Sequence, residues 1–159
     1  MMTLYPGCTT TVKNVALINS NMTDADLIAP NLFLGKMPKN IDAYQYVVSV
    51  GEKPSYSIPI GKTVVIAPLL DSHRIPTEER LMELATLVNQ FTCLGPTLVH
   101  CTMGLNRSGL VMAAVLMQRG MRVGKIVPMI REKRDSQVLK NDSFIELLME
   151  IDYKYKGKE

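Results

Sequence analysis

The sequence predicts a single α/β domain, a central and mostly parallel sheet of about four to five strands flanked by helices, with a glycine-bearing loop between a central strand and a buried helix. Three observations carry this. Short β-branched apolar runs alternate with segments of helical period. One segment, 110–117, is apolar on nearly every side and so belongs in the middle of the core. The chain, at 159 residues, is long enough to bury one core and too short to divide comfortably into two, so 1–159 is read as one domain.

Taken in order, residues 9–15 are a candidate edge strand, heavily punctuated by Pro6-Gly7 and Asn19-Ser20-Asn21. The pattern sharpens from Ala25. Residues 31–35 (Asn-Leu-Phe-Leu-Gly) read as a short strand ending in a turn, and Asn40 is placed to cap a short helix through Tyr46. Residues 46–50 (Tyr-Val-Val-Ser-Val) read as a buried strand, 51–61 as a surface loop rich in Pro and Ser, and 63–67 as a second β-branched strand. The loop that follows carries Asp71. Thr77 then caps a helix with Glu78 and Glu79 in its first turn and Leu81, Leu84, Ala85, Val88 and Phe91 on one face, ending near Gly95-Pro96. A short apolar run, 97–100, leads through the glycine-bearing loop into the buried helix, which stops at Gly120. Two more helices follow at 124–133 and 142–153, the second burying Phe144, Leu147, Leu148 and Ile151. Lys154, Lys156 and Lys158 read as a solvated end.

With 47% hydrophobic and 21% charged residues, the composition excludes disordered and fibrous classes. A net charge of +3 does not by itself make a nucleic-acid surface. The longest apolar runs fall far short of the ~20 residues a membrane span needs, and residues 1–20 lack a charged start followed by an apolar segment, so neither membrane nor export signal is expected. Cys8, Cys93 and Cys101 form an odd, scattered set without CxxC spacing, which argues against a disulfide framework and against a zinc site. Cys8 and Cys93 are read as small buried hydrophobes. A reducing, cytoplasmic location is expected.

The chemistry concentrates in His100-Cys101-Thr102-Met103-Gly104-Leu105-Asn106-Arg107-Ser108. At a strand-to-helix junction the backbone N–H groups of such a loop converge with the helix N-terminus on one anion site. A cysteine at its base feels the same potential, which favours the thiolate, so Cys101 is the expected nucleophile. Arg107 completes a C-x5-R spacing and is expected to return to the rim and hold two phosphate oxygens in a bidentate pair. The loop residues Thr102, Met103, Gly104, Leu105 and Asn106 supply the remaining phosphate contacts. Gly104 meets the need for close approach or positive φ, Asn106 is expected to bond loop carbonyls, and Ser108 to donate to the departing sulfur.

His-Cys-x-x-Gly-x-x-Arg-Ser between an apolar strand and an apolar helix resembles the signature of the cysteine-based protein tyrosine phosphatases, most closely their dual-specificity branch. The resemblance covers about 28–151. Residues 29–35 (Ala-Pro-Asn-Leu-Phe-Leu-Gly) are similar to that branch's opening strand, and Arg134, Val138-Leu139, Asn141 and Phe144 to its closing segment. It implies a general acid about thirty positions before the cysteine, the place Asp71 occupies, and a His100 that orients the loop and tunes the cysteine. His73 is read as exposed, and Arg131, Lys133 and Arg134 as a solvated helix end.

The resemblance implies a phosphatase that hydrolyses phosphomonoesters of a phosphorylated protein or peptide, on tyrosine and also serine or threonine, through a phosphocysteine and with no metal or cofactor; a monomer is expected. Two alternatives stand beside it. The same loop resembles the RNA 5′-triphosphatases of the mRNA-capping branch, which generally do without the aspartate. A pseudophosphatase would keep the cradle and bind phosphorylated partners without turnover. Whether Cys93 resolves an oxidised Cys101 is left open.

Overall fold

The computed structural model of the chain describes Tyr5, Cys8 and residues 24–156; the candidate strand at 9–15 lies outside the described residues. The strands are β1 (Ala25–Ala29), β2 (Leu32–Gly35), β3 (Tyr46–Ser49), β4 (Thr63–Ile66) and β5 (Thr97–His100), and the helices α1 (Glu78–Thr92), α2 (Arg107–Gln118), α3 (Val123–Lys133) and α4 (Asp142–Lys156). They form one five-stranded sheet in the order β1-β2-β5-β3-β4. Only β1 and β2 are antiparallel; β2–β5, β3–β5 and β3–β4 are parallel. Their turn passes through Asn31, whose φ of 59° is the left-handed conformation asparagine tolerates.

Alternation along the strands divides the core. Leu34, Val48 and Val99 face the helices, while Phe33, Val47 and Leu98 face a smaller cluster completed by Ile41, Tyr44 and Tyr56. The helix layer is built around α2, which is buried from Ser108 to Met117 and packs against α1, α3 and α4. That position explains its lack of a polar face. Each large side chain it buries contributes about 1.5–3 kcal/mol. The parallel strands end together, so the C-terminal end of the central strand β5 opens directly into the loop that precedes α2.

Two expectations need correcting. The helix from Asn40 to Tyr46 is a single turn: Asn40 Oδ1 accepts the Asp42 N–H, and the Tyr44 N–H bonds to Ile41 O. Lys62 Nζ takes the carbonyls of Asp42 and Tyr44, and Ile41 and Tyr44 are buried against the sheet, so the turn cannot propagate before β3 begins. Second, Cys8 and Cys93 form a disulfide, with Cα atoms 5.2 Å apart across 85 residues. Local spacing carries no information about a pair that the fold joins over that distance. Cys101 remains a free thiol.

Candidate active site

The loop after β5 turns every one of its carbonyls outward. Cys101 O accepts from His100 Nδ1 at 3.2 Å, and Thr102 O from the Met37 N–H at 3.1 Å. Met103 O and Gly104 O accept from the Arg134 guanidinium at 3.2 and 3.3 Å. Leu105 O accepts from the Leu139 N–H at 3.2 Å and Asn106 O from the Leu110 N–H at 2.8 Å. With six successive carbonyls engaged outside, the N–H groups are left to face the concavity. Gly104 permits the turn: its φ is 72°, and a Cβ there would stand 2.4 Å from the carbonyl carbon of Gly35.

The start of α2 is kept for the same purpose. Where α1 has a Thr77 cap and two glutamates in its first turn, α2 has no acidic residue there and no side-chain cap. Its first N–H groups and the positive end of its dipole therefore serve the loop.

Cys101 Sγ lies at the base, 3.2 Å from the Gly104 N–H and 3.1 Å from Ser108 Oγ. Burial alone would push the thiol's pKa up. Hydrogen bonds from the Ser108 hydroxyl and backbone, then from the N–H groups of Leu105 and Gly104, outweigh it, and the pKa falls below the ordinary 9.0. His100 supports the loop from behind. Its Nδ1 faces a carbonyl, which can only accept, so Nδ1 carries the proton and Nε2 accepts from the Tyr56 hydroxyl at 2.7 Å. Burial lowers the pKa of His100 and raises that of Tyr56 to about 12, so both stay neutral.

Arg107 folds back over the loop. Nη1 donates to Glu52 Oε1 at 2.9 Å and Nη2 to Thr102 Oγ1 at 3.4 Å, while Nε is buried with no partner among the described residues. Burial opposes the charge of this group, but Glu52, Cys101 and Asp71 outweigh it and hold the pKa above its ordinary value. Asp71 reaches the same site from the loop after β4. Oδ2 accepts from Asn106 Nδ2 at 3.2 Å and Oδ1 from Asn141 Nδ2 at 3.0 Å. Asn106 thus does not brace loop carbonyls; its amide is spent on Asp71 and on the Asn141 N–H, which bonds to its Oδ1.

The structure places Cys101, Arg107, Asp71, Ser108 and His100 around one loop and leaves His73 exposed; the residues that support them were not read from the sequence. Arg134 is no solvated helix end: it clamps the loop and pairs with Asp26 at 2.9 Å. Arg131 holds the carbonyls of Val138 and Leu139, and Lys133 that of Ile28. Asn141 was part of the family pattern without a task. Glu52 and Tyr56, in a Pro- and Ser-rich loop, gave no signal at all.

The family model for the dual specificity phosphatase catalytic domain matches residues 37–154. A comparison with curated protein sequences finds no match. Among solved structures, the chain is similar to human DUSP28, with TM-score 0.74 and 21% identity over 84% of this chain and 99% of that one. It is also similar to a mouse putative dual specificity phosphatase, with TM-score 0.77 and 19% identity over 91% and 96%. OH1 from the Orf virus, described as a tyrosine phosphatase with triple substrate specificity, gives TM-score 0.68 and 22% identity over 81% and 86%.

Proposed function

The chain belongs to the dual specificity phosphatase catalytic-domain family, and from that premise we propose that it hydrolyses phosphomonoesters, chiefly protein phosphotyrosine and also phosphoserine or phosphothreonine, through a phosphocysteine on Cys101. The observation that carries the reading is a thiol of lowered pKa at the floor of a loop whose six carbonyls all point away.

In the first step the Cys101 thiolate attacks phosphorus in line. The bond from phosphorus to the leaving oxygen breaks, and Asp71, entering protonated, gives that oxygen its proton. The N–H groups of Thr102, Met103, Gly104, Leu105, Asn106 and Arg107 hold the equatorial oxygens. Glu52 keeps Nη1 of Arg107 turned away, which leaves Nε and Nη2 as the fork for two of those oxygens. In the second step Asp71, now a carboxylate, takes a proton from water as the water attacks phosphorus. The P–S bond breaks, its electron pair returns to sulfur, and the Ser108 hydroxyl stabilises the thiolate. None of these steps calls for a metal or cofactor.

The two amides that hold Asp71 against the loop favour a phosphomonoester, whose leaving group needs a proton, over an RNA triphosphate, whose diphosphate leaves without one. We further propose a monomer acting in the cytoplasm, where a reduced Cys101 persists. There the Cys8–Cys93 bond has to outlast cellular thiols, which alkylating quench of a cell extract measures. Among the described residues no helix is long and apolar enough to cross a membrane.

The test is phosphate release by wild type, Cys101→Ser and Asp71→Asn from a phosphotyrosine peptide, a phosphoserine peptide and 5′-triphosphate RNA. The proposal expects peptide turnover that vanishes in Cys101→Ser and falls about 10²- to 10⁴-fold in Asp71→Asn. Turnover of RNA alone, indifferent to Asp71, or phosphopeptide binding without release, would overturn it.

A further inference from the structure

The helix α4 carries more apolar surface than its core contacts need. Phe144, Leu147, Leu148 and Ile151 face the interior, yet Ile145, Met149 and Tyr153 form a second stripe at intervals of four, with Met149 59% and Tyr153 78% exposed. This stripe lines one side of a groove of about 720 Å³ whose other side is α3, with Val127 and Pro128. At 1.5 Å per residue the stripe runs about 12 Å, roughly two helical turns.

The rim is basic. Arg122, Arg131, Lys140 and Lys156 border the groove against two carboxylates, Asp142 and Asp152. Asp152 is bound by Arg122 at 2.9 Å. Arg131 spends its donors on the carbonyls of Val138 and Leu139, so that contact leaves its charge uncancelled, and Lys140 and Lys156 are exposed. An apolar floor within a positive rim fits a partner with apolar anchors flanked by carboxylates. A nucleic acid would answer the charge and leave the floor unfilled. Two lining residues of the groove, Lys140 and Asp142, flank Asn141 in the chain, and the Asn141 amide donates to Asp71 and to the Ser72 carbonyl.

We propose that the α3–α4 groove docks an acidic amphipathic helix of a protein partner, laid as a third helix on the pair, so that a phosphorylated segment next to that helix is delivered to the Cys101 loop. Docking stands on the groove alone; delivery rests on the phosphatase reading.

The probe is a fluorescein-labelled, unphosphorylated peptide of about four helical turns, with leucines along one face and glutamates elsewhere, followed by fluorescence anisotropy. Wild type is expected to bind it at micromolar concentration. Met149→Glu and Lys156→Glu, both solvent-exposed substitutions, are each expected to weaken binding about tenfold or more while leaving hydrolysis of para-nitrophenyl phosphate unchanged. A phosphotyrosine added beyond the helix should lower KM relative to a short phosphopeptide, with kcat unchanged. No binding, equal binding of the peptide with lysines in place of glutamates, or unchanged binding by both variants overturns the docking site. So does a wild-type dimer that light scattering shows Met149→Glu to dissociate, because the occupant is then a second copy. Peptide binding by a protein inert toward para-nitrophenyl phosphate keeps the docking site and refutes the phosphatase.

Discussion

Ser108→Ala isolates how much of the Cys101 thiolate depends on one hydroxyl. Ser108 Oγ lies 3.1 Å from Sγ, and both residues are buried, so water cannot replace the lost bond without entering the core. A hydrogen bond to a charged group contributes about 1.5–3 kcal/mol, roughly a ten- to hundredfold change in an ionisation equilibrium. The sign follows from the opposing causes: burial favours the thiol, while Ser108, Leu105 and Gly104 favour the thiolate and prevail. Without the hydroxyl the titration midpoint moves up. At a pH below the wild-type midpoint the thiolate fraction, and with it kcat/KM for a small aryl phosphate, falls about ten- to hundredfold; the loss shrinks as the pH rises between the two midpoints and is gone above the new one. Thiolate ultraviolet absorbance against pH reads this directly, because Cys8 and Cys93 are bonded and Cys101 is the free thiol. A midpoint that stays in place, with a superimposable pH profile of kcat/KM, would refute the assignment and leave the backbone N–H groups as the cause.

Three further outcomes are expected. Gly104→Ala should abolish phosphate release and lower the melting temperature, since left-handed φ costs about 1–2 kcal/mol in alanine and the new Cβ collides with Gly35; wild-type turnover would contradict it. Glu52→Ala should lower kcat/KM about tenfold by releasing Arg107, and Glu52→Gln, which keeps an acceptor for Nη1, should restore most of it in the same steady-state assay. Cys8→Ser should lower the urea midpoint, by up to about 4–5 kcal/mol of stability on the loop-entropy argument, while leaving kcat/KM for para-nitrophenyl phosphate unchanged.

What could be read in advance was whatever the chain keeps local. The β5–loop–α2 junction is a contiguous run, so its strand, its glycine and its cysteine-to-arginine spacing show in the sequence, as do the Thr77 cap and the apolar α2. What stayed hidden depends on separation. Glu52 and Arg107 are 55 residues apart, Asp71 and Asn141 70, and Cys8 and Cys93 85; each pair meets only because the parallel strands end on one side or α1 returns to the sheet. β1 is strand through its pairing with β2, since Asp26 and the exposed Leu27 break the apolar pattern. The Asn40 signal was a true turn signal, and only tertiary claims on the Asp42 and Tyr44 carbonyls decided that it would not become a helix.

The most direct test of the central claim is a rapid-quench mass measurement on Ser108→Ala mixed with excess para-nitrophenyl phosphate at a pH above its thiol midpoint, where attack proceeds and expulsion of the sulfur is slowed. The account predicts one phosphoryl group per chain, on the peptide that contains Cys101, formed with a burst of nitrophenol and absent from Cys101→Ser. Sustained turnover with no adduct on that peptide, or an adduct on any other residue, would contradict it.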